Sequence, residues 1–212
     1  MQALLRSVVL TLALFVICGV GYPIAGWAFS QAAFHGQANG SITKNGSTLI
    51  GQQWGIATYD AATKMCTVSI NPMWFNGRPD ADNPLGLQYP ALPHGTQCPA
   101  LSGSSTQADL GPHSQVLAND VAANVAAWKA VGVNNPTPDL VTTSGSELDP
   151  DLLPMDALVQ VPMIARARGL SPSCLQSLIM RETAGAELGF LGASYINVLA
   201  LNEALAALPP HC

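Results

Sequence analysis

"SVVLTLALFVICGVGYPIAGWAF", Ser7 to Phe29, is an almost unbroken apolar run with no charged residue in it. At 1.5 Å rise per residue, about 20 such residues in a helix cross the hydrocarbon core of a bilayer. Gly19, Gly21 and Pro23 would weaken a helix in water, but a membrane helix packed on neighbours accommodates them. Tyr22 and Trp27 lie near the far end, where amphipathic rings favour the interface. A cleaved signal peptide has a shorter apolar region, roughly 7–15 residues, followed by a small-residue cleavage motif. This run is longer and has no clean A-x-A near Ala28, so it reads as an uncleaved transmembrane helix.

The charges on either side set the expected orientation. Arg6 and the terminal amine precede the run, and the next cation is Lys44. The positive-inside rule places residues 1–6 in the cytoplasm, 7–29 across the cell (inner or plasma) membrane, and 30–212 outside. All thirteen acidic residues follow the run, though acids carry little topological weight. Charged residues make up 10% of the 212, well below the roughly 25% of soluble proteins. The net charge is −5, and no nucleic-acid partner is expected. The length suits one domain with a real core plus an appendage.

Cysteine usage agrees with export. Cys18 falls in the apolar run, leaving Cys66, Cys98, Cys174 and Cys212 beyond it. An even number in an oxidising compartment suggests disulfides, with three possible pairings. We favour Cys66–Cys98, which brackets a loop-rich stretch, and Cys174–Cys212, which joins two points of the helical C-terminal region. "HGTQC" also sets His94 and Cys98 at a metal-site spacing, with Cys66 or His113 to complete it, but an exported chain favours the disulfide.

Beyond the run the pattern is that of one α+β domain. Asn-Gly turns flank "SITK", and "STLIGQQW" reads as a strand closing at Gly51. The two Asn-Gly-Ser triplets are formal glycosylation acceptors, though in a hairpin they simply supply positive-φ residues. Residues 57–105 read as a long irregular insertion with one strand at "CTVSI". "HSQVLANDVAANVAAWKAVG" is helical, with Val116, Val121, Val125 and Trp128 on one face and Gly132 as the stop. "PDLVTTSGS" reads as a strand entering a turn. In "SGSELDPDLLPMDALVQ" (Ser144–Gln160), Asp149 caps a helix with Pro150 in its first position, Pro154 restarts or kinks it, and Gly169 ends it. Ser171 caps the next helix, Pro172 opens it, and "YINVL" is strand-like before a final helix.

Catalytic motifs do not emerge. No G-x-S-x-G, Walker-type loop, G-x-G-x-x-G or H-E-x-x-H occurs. Glu147, Asp149, Asp151 and Asp156 lack the spacing and glycine of a calcium loop. They suit the positive end of a helix instead. Ser144 or Ser146 could serve as a nucleophile in an exported hydrolase, but no base is placed for either. Composition and spacing stop at a single-span anchor carrying an exported α+β domain and name no function; that hydrolase and a disulfide-stapled binding module are competing readings.

Several segments, in order, resemble the C subunit of the bacterial Kdp potassium-transporting P-type ATPase: "GVGYPIAGWAFSQ", "QANGS", "GSTLIGQQW", "WFNGRPDA", "SGSSTQADLGP", "LVTTSGSELDPDLLPMDALVQVPMIARARGLS", "LGFLG" and "NVLALNEAL". The chain departs from that pattern in the cysteine-bearing insertion. Glu147 stands in place of Gly, Asp151 of His or Asn, Met163 of Arg, Ala193–Tyr195 of Glu-Pro-Arg, and Glu203 of Leu. The lost cations suggest altered contacts with a partner. The resemblance implies a non-enzymatic subunit with no cofactor of its own. Its partners would be a potassium-binding A subunit, an ATP-hydrolysing B subunit and membrane lipid, with ATP and potassium handled by the complex. The family is also described as a catalytic chaperone that raises the B subunit's ATP affinity. A segment implicated in nucleotide contact corresponds here to Ser144, Gly145 and Gln160. An exported Gln160 and cytoplasmic ATP would lie on opposite sides of the membrane.

Overall fold

The computed structural model describes residues 1–52, 54–79, 85, 88–90, 98, 109–146, 148–210 and 212. The chain divides into two compact units, Met1–Ile42 and Thr43–Cys212. His94 and Glu147 lie outside the described residues, as do most of the insertion after Pro79 and most of "SGSSTQADLGP".

In the first unit the apolar run extends in both directions into one helical stretch, Gln2–Ala33, whose most apolar 18 residues have a mean hydropathy of 2.4, with no buried residue. It comprises α1 (Gln2–Val16), a π-helical turn (Ile17–Gly21) and α2 (Tyr22–Ala33). The wide turn has a local cause. Pro23 has no N–H to offer the Gly19 carbonyl and its ring crowds that oxygen, and the extra residue per turn relieves the conflict. The hydroxyls of Ser7 and Ser30 donate back to the carbonyls of Ala3 (3.0 Å) and Trp27 (2.8 Å), so neither is left bare on an apolar helix. A short helix, α3 (His35–Ala38), follows.

The second unit is a mixed α+β fold. A hairpin of β1 (Ile42–Thr43) and β2 (Gly46–Ser47) turns at Asn45, as the Asn-Gly pair predicts. The strand expected over "STLIGQQW" does not form, because Ser47 ends β2 and its hydroxyl accepts from Leu49 and Ile50 N–H, bending the chain there. The described part of the insertion holds more strand than the one expected. Strands β3 (Ile56–Asp60), β4 (Met65–Ser69) and β5 (Gln88–Pro90) form an antiparallel sheet in the order β3-β4-β5. Tyr59 and Tyr89 lie opposite Cys66. Cys66 and Val68 share the inward face of β4, two residues apart, and both are fully buried.

Helix α4 (Gln115–Ala130) begins at Ser114, whose hydroxyl accepts from Leu117 N–H, and stops before Gly132 at φ 92°. Its buried face carries Asn124 and Trp128, with Val121 and Val125 half-buried, while Val116 is exposed. "PDLV" is not a strand but one helical turn, α5 (Pro138–Val141). Trp128 Nε1 donates to the Leu140 carbonyl (2.8 Å) and Asn124 Nδ2 to that of Val141 (3.0 Å). Two buried α4 side chains thus hold that turn.

The helix expected at Pro150 starts four residues later. Asp149 Oδ1 accepts from Asp151 N–H, a local turn, and β6 (Asp151–Leu152) pairs with β7 (Ile196–Asn197). Helix α6 (Pro154–Leu158) then opens at Pro154, with Asp156 Oδ2 accepting from Leu153 N–H at 2.9 Å. Helix α7 (Val161–Arg168) ends at Gly169 in the left-handed region, φ 69°. Helix α8 (Pro172–Glu182) is capped by Ser171, and α9 (Val198–Ala206) by Asn197. Leu175, Leu178 and Ile179 of α8, Ile164 of α7, and Leu201 and Leu205 of α9 form the centre of the core.

Both favoured disulfides are present, Cys66–Cys98 and Cys174–Cys212, each with a Cα–Cα separation of 5.7 Å. Cys18 is free and exposed.

Candidate functional site

The segment Asn71–Arg78, which contains "WFNGR", runs across the helical core and is held by side chains from α7, α9 and the junction between α6 and α7. Asn202 of α9 accepts from Phe75 N–H through Oδ1 and donates to the Phe75 carbonyl through Nδ2, both at 2.9 Å. Gln160, just before α7, does the same for the next residue. Its Oε1 accepts from Asn76 N–H (2.8 Å) and its Nε2 donates to the Asn76 carbonyl (2.9 Å) and to that of Asp156 (3.1 Å). Two side-chain amides thus stand where a neighbouring strand would, for a stretch of backbone that has none. Both are buried, where an unpaired backbone group costs more than it would in water.

Arg168, at the end of α7, completes the clamp. Its Nε donates to the Met73 carbonyl (2.7 Å) and its Nη1 to that of Leu205 (3.2 Å). Its guanidinium lies 4.4 Å from the centre of the Trp74 ring, which in turn packs on Trp54 at 5.5 Å. Asn76 closes its own turn, donating to the carbonyls of Asn71 (2.9 Å) and Trp74 (2.8 Å).

At the end of this segment Arg78 reaches the turn that carries Ser144 and Gly145. Its Nη2 donates to the Thr143 carbonyl (3.0 Å) and lies 3.5 Å from Thr142 Oγ1. Its Nη1 is 3.4 Å from Asp139 and 3.9 Å from Asp149. One cation therefore ties α5, the turn and the approach to β6 together. The acids of "SGSELDPD" are explained in part by this: Asp149 faces Arg78 rather than a helix end.

Ser144 is half-buried and Gly145 exposed. Ser144 Oγ lies 3.5 Å from Ser146 Oγ, and Ser146 accepts from Leu148 N–H. Among the described residues no histidine, lysine or carboxylate hydrogen-bonds either hydroxyl, so the pair has no visible activating base. Nor does any group of three His, Cys, Asp or Glu among the described residues form a metal cage.

Burial pushes the carboxyl of Asp156 above its ordinary range, although the hydrogen bond from Leu153 N–H works against it. Asp151 is raised as well, first by burial and also by the charge of Asp149, against the lowering hydrogen bond from Asn197. Burial also lowers the Arg168 guanidinium.

The match to known proteins covers this whole arrangement. Residues 4–207 match the family model KdpC, "K+-transporting ATPase, c chain". The chain belongs to the KdpC family. A potassium-transporting ATPase KdpC subunit of Methylorubrum extorquens is 40% identical over 208 residues, 95% of each chain. Those of Paraburkholderia xenovorans and Gloeobacter violaceus are 38% identical over 206 residues and 36% identical over 211. They too cover more than nine-tenths of each chain.

Seen as a KdpC-family chain, its departures from the expected pattern have local partners. Met163 is 4% exposed and sits in the core, so that change alters packing rather than a surface. Glu203 Oε1 accepts from Asn45 Nδ2 at 2.8 Å, and Asp151 Oδ1 from Asn197 Nδ2 at 3.1 Å. The Gln160 and Asn202 clamps were not anticipated from sequence. The one signal was Asn202 itself, a lone amide on the face that Val198, Leu201 and Leu205 present to the core.

Proposed function

We propose that the chain is a non-catalytic accessory subunit that stabilises assembly of the ion-binding and ATP-hydrolysing subunits of a potassium-transporting ATPase. In this reading it crosses the membrane once, with residues 1–6 in the cytoplasm and the folded unit outside. It holds no cofactor, and ATP and potassium are handled by the other subunits. The observation that carries it is the apolar helix Gln2–Ala33, unburied along its length, in a chain of a family named for that ATPase. An apolar helix with Gly19 and Gly21 at a widened turn lets another membrane helix approach closely.

The finer role is to raise the catalytic subunit's affinity for ATP. For the segment attributed to nucleotide contact, Gln160 contributes by holding Asn76 in place, its amide being engaged by backbone. Ser144 and Gly145 lie at the surface of the folded unit; with that unit outside they do not touch cytoplasmic ATP, and the effect on ATP affinity is exerted through the other subunits.

The test is extraction in mild detergent through a tag on this chain, followed by mass spectrometry of what accompanies it. Stoichiometric recovery of a multi-span potassium-binding subunit and a P-type ATPase is expected. Recovery of this chain alone from cells that express the pump overturns the reading. ATP affinity of the purified complex, measured with and without this chain, tests the chaperone role: equal affinities remove it.

A further inference from the structure

The loop between α8 and β7 presents an apolar tip that is exposed, with none of the described residues packed over it. Leu188, Phe190 and Leu191 are 80%, 75% and 50% exposed. The loop is rigidly closed: Ala184 and Tyr195 exchange backbone hydrogen bonds of 2.8 and 3.1 Å, and above them Glu187 and Leu191 exchange a pair at 2.9 Å. Gly189 and Gly192 both have φ 80°, and Leu188 is held at φ 54°, a region L side chains rarely adopt. A backbone cost accepted in order to display apolar side chains marks a contact surface.

The base of this loop is also tied to the first residues of the folded unit, a short stretch of chain after the apolar helix. Asn197, two residues beyond Tyr195, donates to the Thr48 carbonyl at 3.0 Å. Residues 34–48 therefore join the loop's base to the end of the apolar helix at Ala33, and even extended, apart from α3, they span only about 40 Å. Whatever else surrounds the protein, the bilayer is the apolar phase tethered within this reach, and tethering makes a weak second contact effective.

We propose that the Leu188–Leu191 tip inserts into the interfacial region of the bilayer that holds the chain's own helix, giving the folded unit a second, peripheral membrane contact. The two leucines and Phe190 supply the apolar area, while Glu187 at the tip's base stays at the level of water and headgroups. The inference rests on the membrane-spanning part of the proposed function and not on the side of the membrane the folded unit occupies.

The test uses the full chain in vesicles of phosphatidylethanolamine and phosphatidylglycerol, with a photo-crosslinker in place of one residue at a time. Phe190→p-benzoylphenylalanine and the same substitution at Leu191 are compared with Ala62, exposed on the β3–β4 turn. Lipid adducts at least about five-fold more abundant at 190 and 191 than at 62, by mass spectrometry, are expected on effective-concentration grounds. Equal yields at all three sites overturn the proposal. So do adducts at 190 to a second copy or, in native membranes, to another pump subunit, which would make the tip a protein-docking element. Release of the chain from the vesicles by alkaline carbonate, seen before irradiation, would instead overturn the membrane-spanning reading and this inference with it.

Discussion

The side-chain amide of Gln160 pairs with both backbone groups of Asn76, 84 residues earlier, at 2.8 and 2.9 Å. Asn202 makes the equivalent pair with Phe75. A chain segment that crosses the core without a strand partner thereby has its buried polar groups satisfied, and Arg78 is delivered to the 142–149 turn.

Truncating Gln160 leaves a donor and an acceptor of Asn76 unpaired in the interior. Gln160→Ala should lower unfolding free energy by about 3 kcal/mol, measured by denaturant unfolding in mild detergent. Gln160→Glu can still accept from Asn76 N–H but, ionised, cannot donate to its carbonyl. It should therefore be destabilised at pH 7 and partly recover near pH 4. A change below about 0.5 kcal/mol for both variants, the range of an ordinary surface substitution, would mean that the clamp does not hold the segment.

Arg78 reaches a carbonyl, a hydroxyl and two carboxylates with one planar fork, a geometry lysine does not reproduce. Arg78→Lys and Arg78→Ala should both loosen residues 142–149, each costing about 1–2 kcal/mol, since the ion pairs themselves are partly exposed and contribute little. Faster amide hydrogen exchange at Gly51, whose N–H donates to the Leu148 carbonyl, and at Leu148, whose N–H donates to Ser146 Oγ, is the expected signature. Unchanged exchange in both variants would assign the turn's order to other contacts.

Asp156 is buried with its carboxyl raised above the usual range, so its charged form is disfavoured in the folded state. Folding therefore carries a penalty at neutral pH that is relieved as pH falls through the raised value toward 3.8, where unfolded aspartates titrate. Asp156→Asn keeps an acceptor for Leu153 N–H and removes the charge. Its melting temperature should exceed the parent's at pH 7, with the gap narrowing toward pH 4. A gap independent of pH would show that Asp156 is not the group responsible.

The two disulfides should differ in their accessibility to reductant. Cys66 is fully buried, whereas Cys174 and Cys212 are both only half-buried. Limited dithiothreitol under native conditions, followed by alkylation and peptide mapping, should label Cys174 and Cys212 well before Cys66 and Cys98. Losing either bridge should cost about 2–4 kcal/mol. Simultaneous labelling of all four would mean that reduction proceeds through global unfolding.

Much of this protein is legible from local chemistry. A long apolar run determines a helix long and apolar enough to cross a membrane, because the bilayer requires length and apolarity and little else. Ser171, Gly132 and Gly169 mark helix ends as read, since caps depend on the few residues nearest the terminus. The cysteine pairs followed from the arrangement of loop and helix around them. Tertiary structure decided the rest. Pro150 does not open a helix, because Asp149 turns the chain locally and Leu152 pairs with Ile196 across the fold. "PDLV" becomes a helical turn held by Trp128 and Asn124, and the insertion gains a sheet, because such pairings depend on distant partners. The amides of Gln160 and Asn202 are ordinary polar letters until folding brings Asn76 and Phe75 beside them. A hydrogen bond spanning 84 or 127 residues leaves no local periodicity to read.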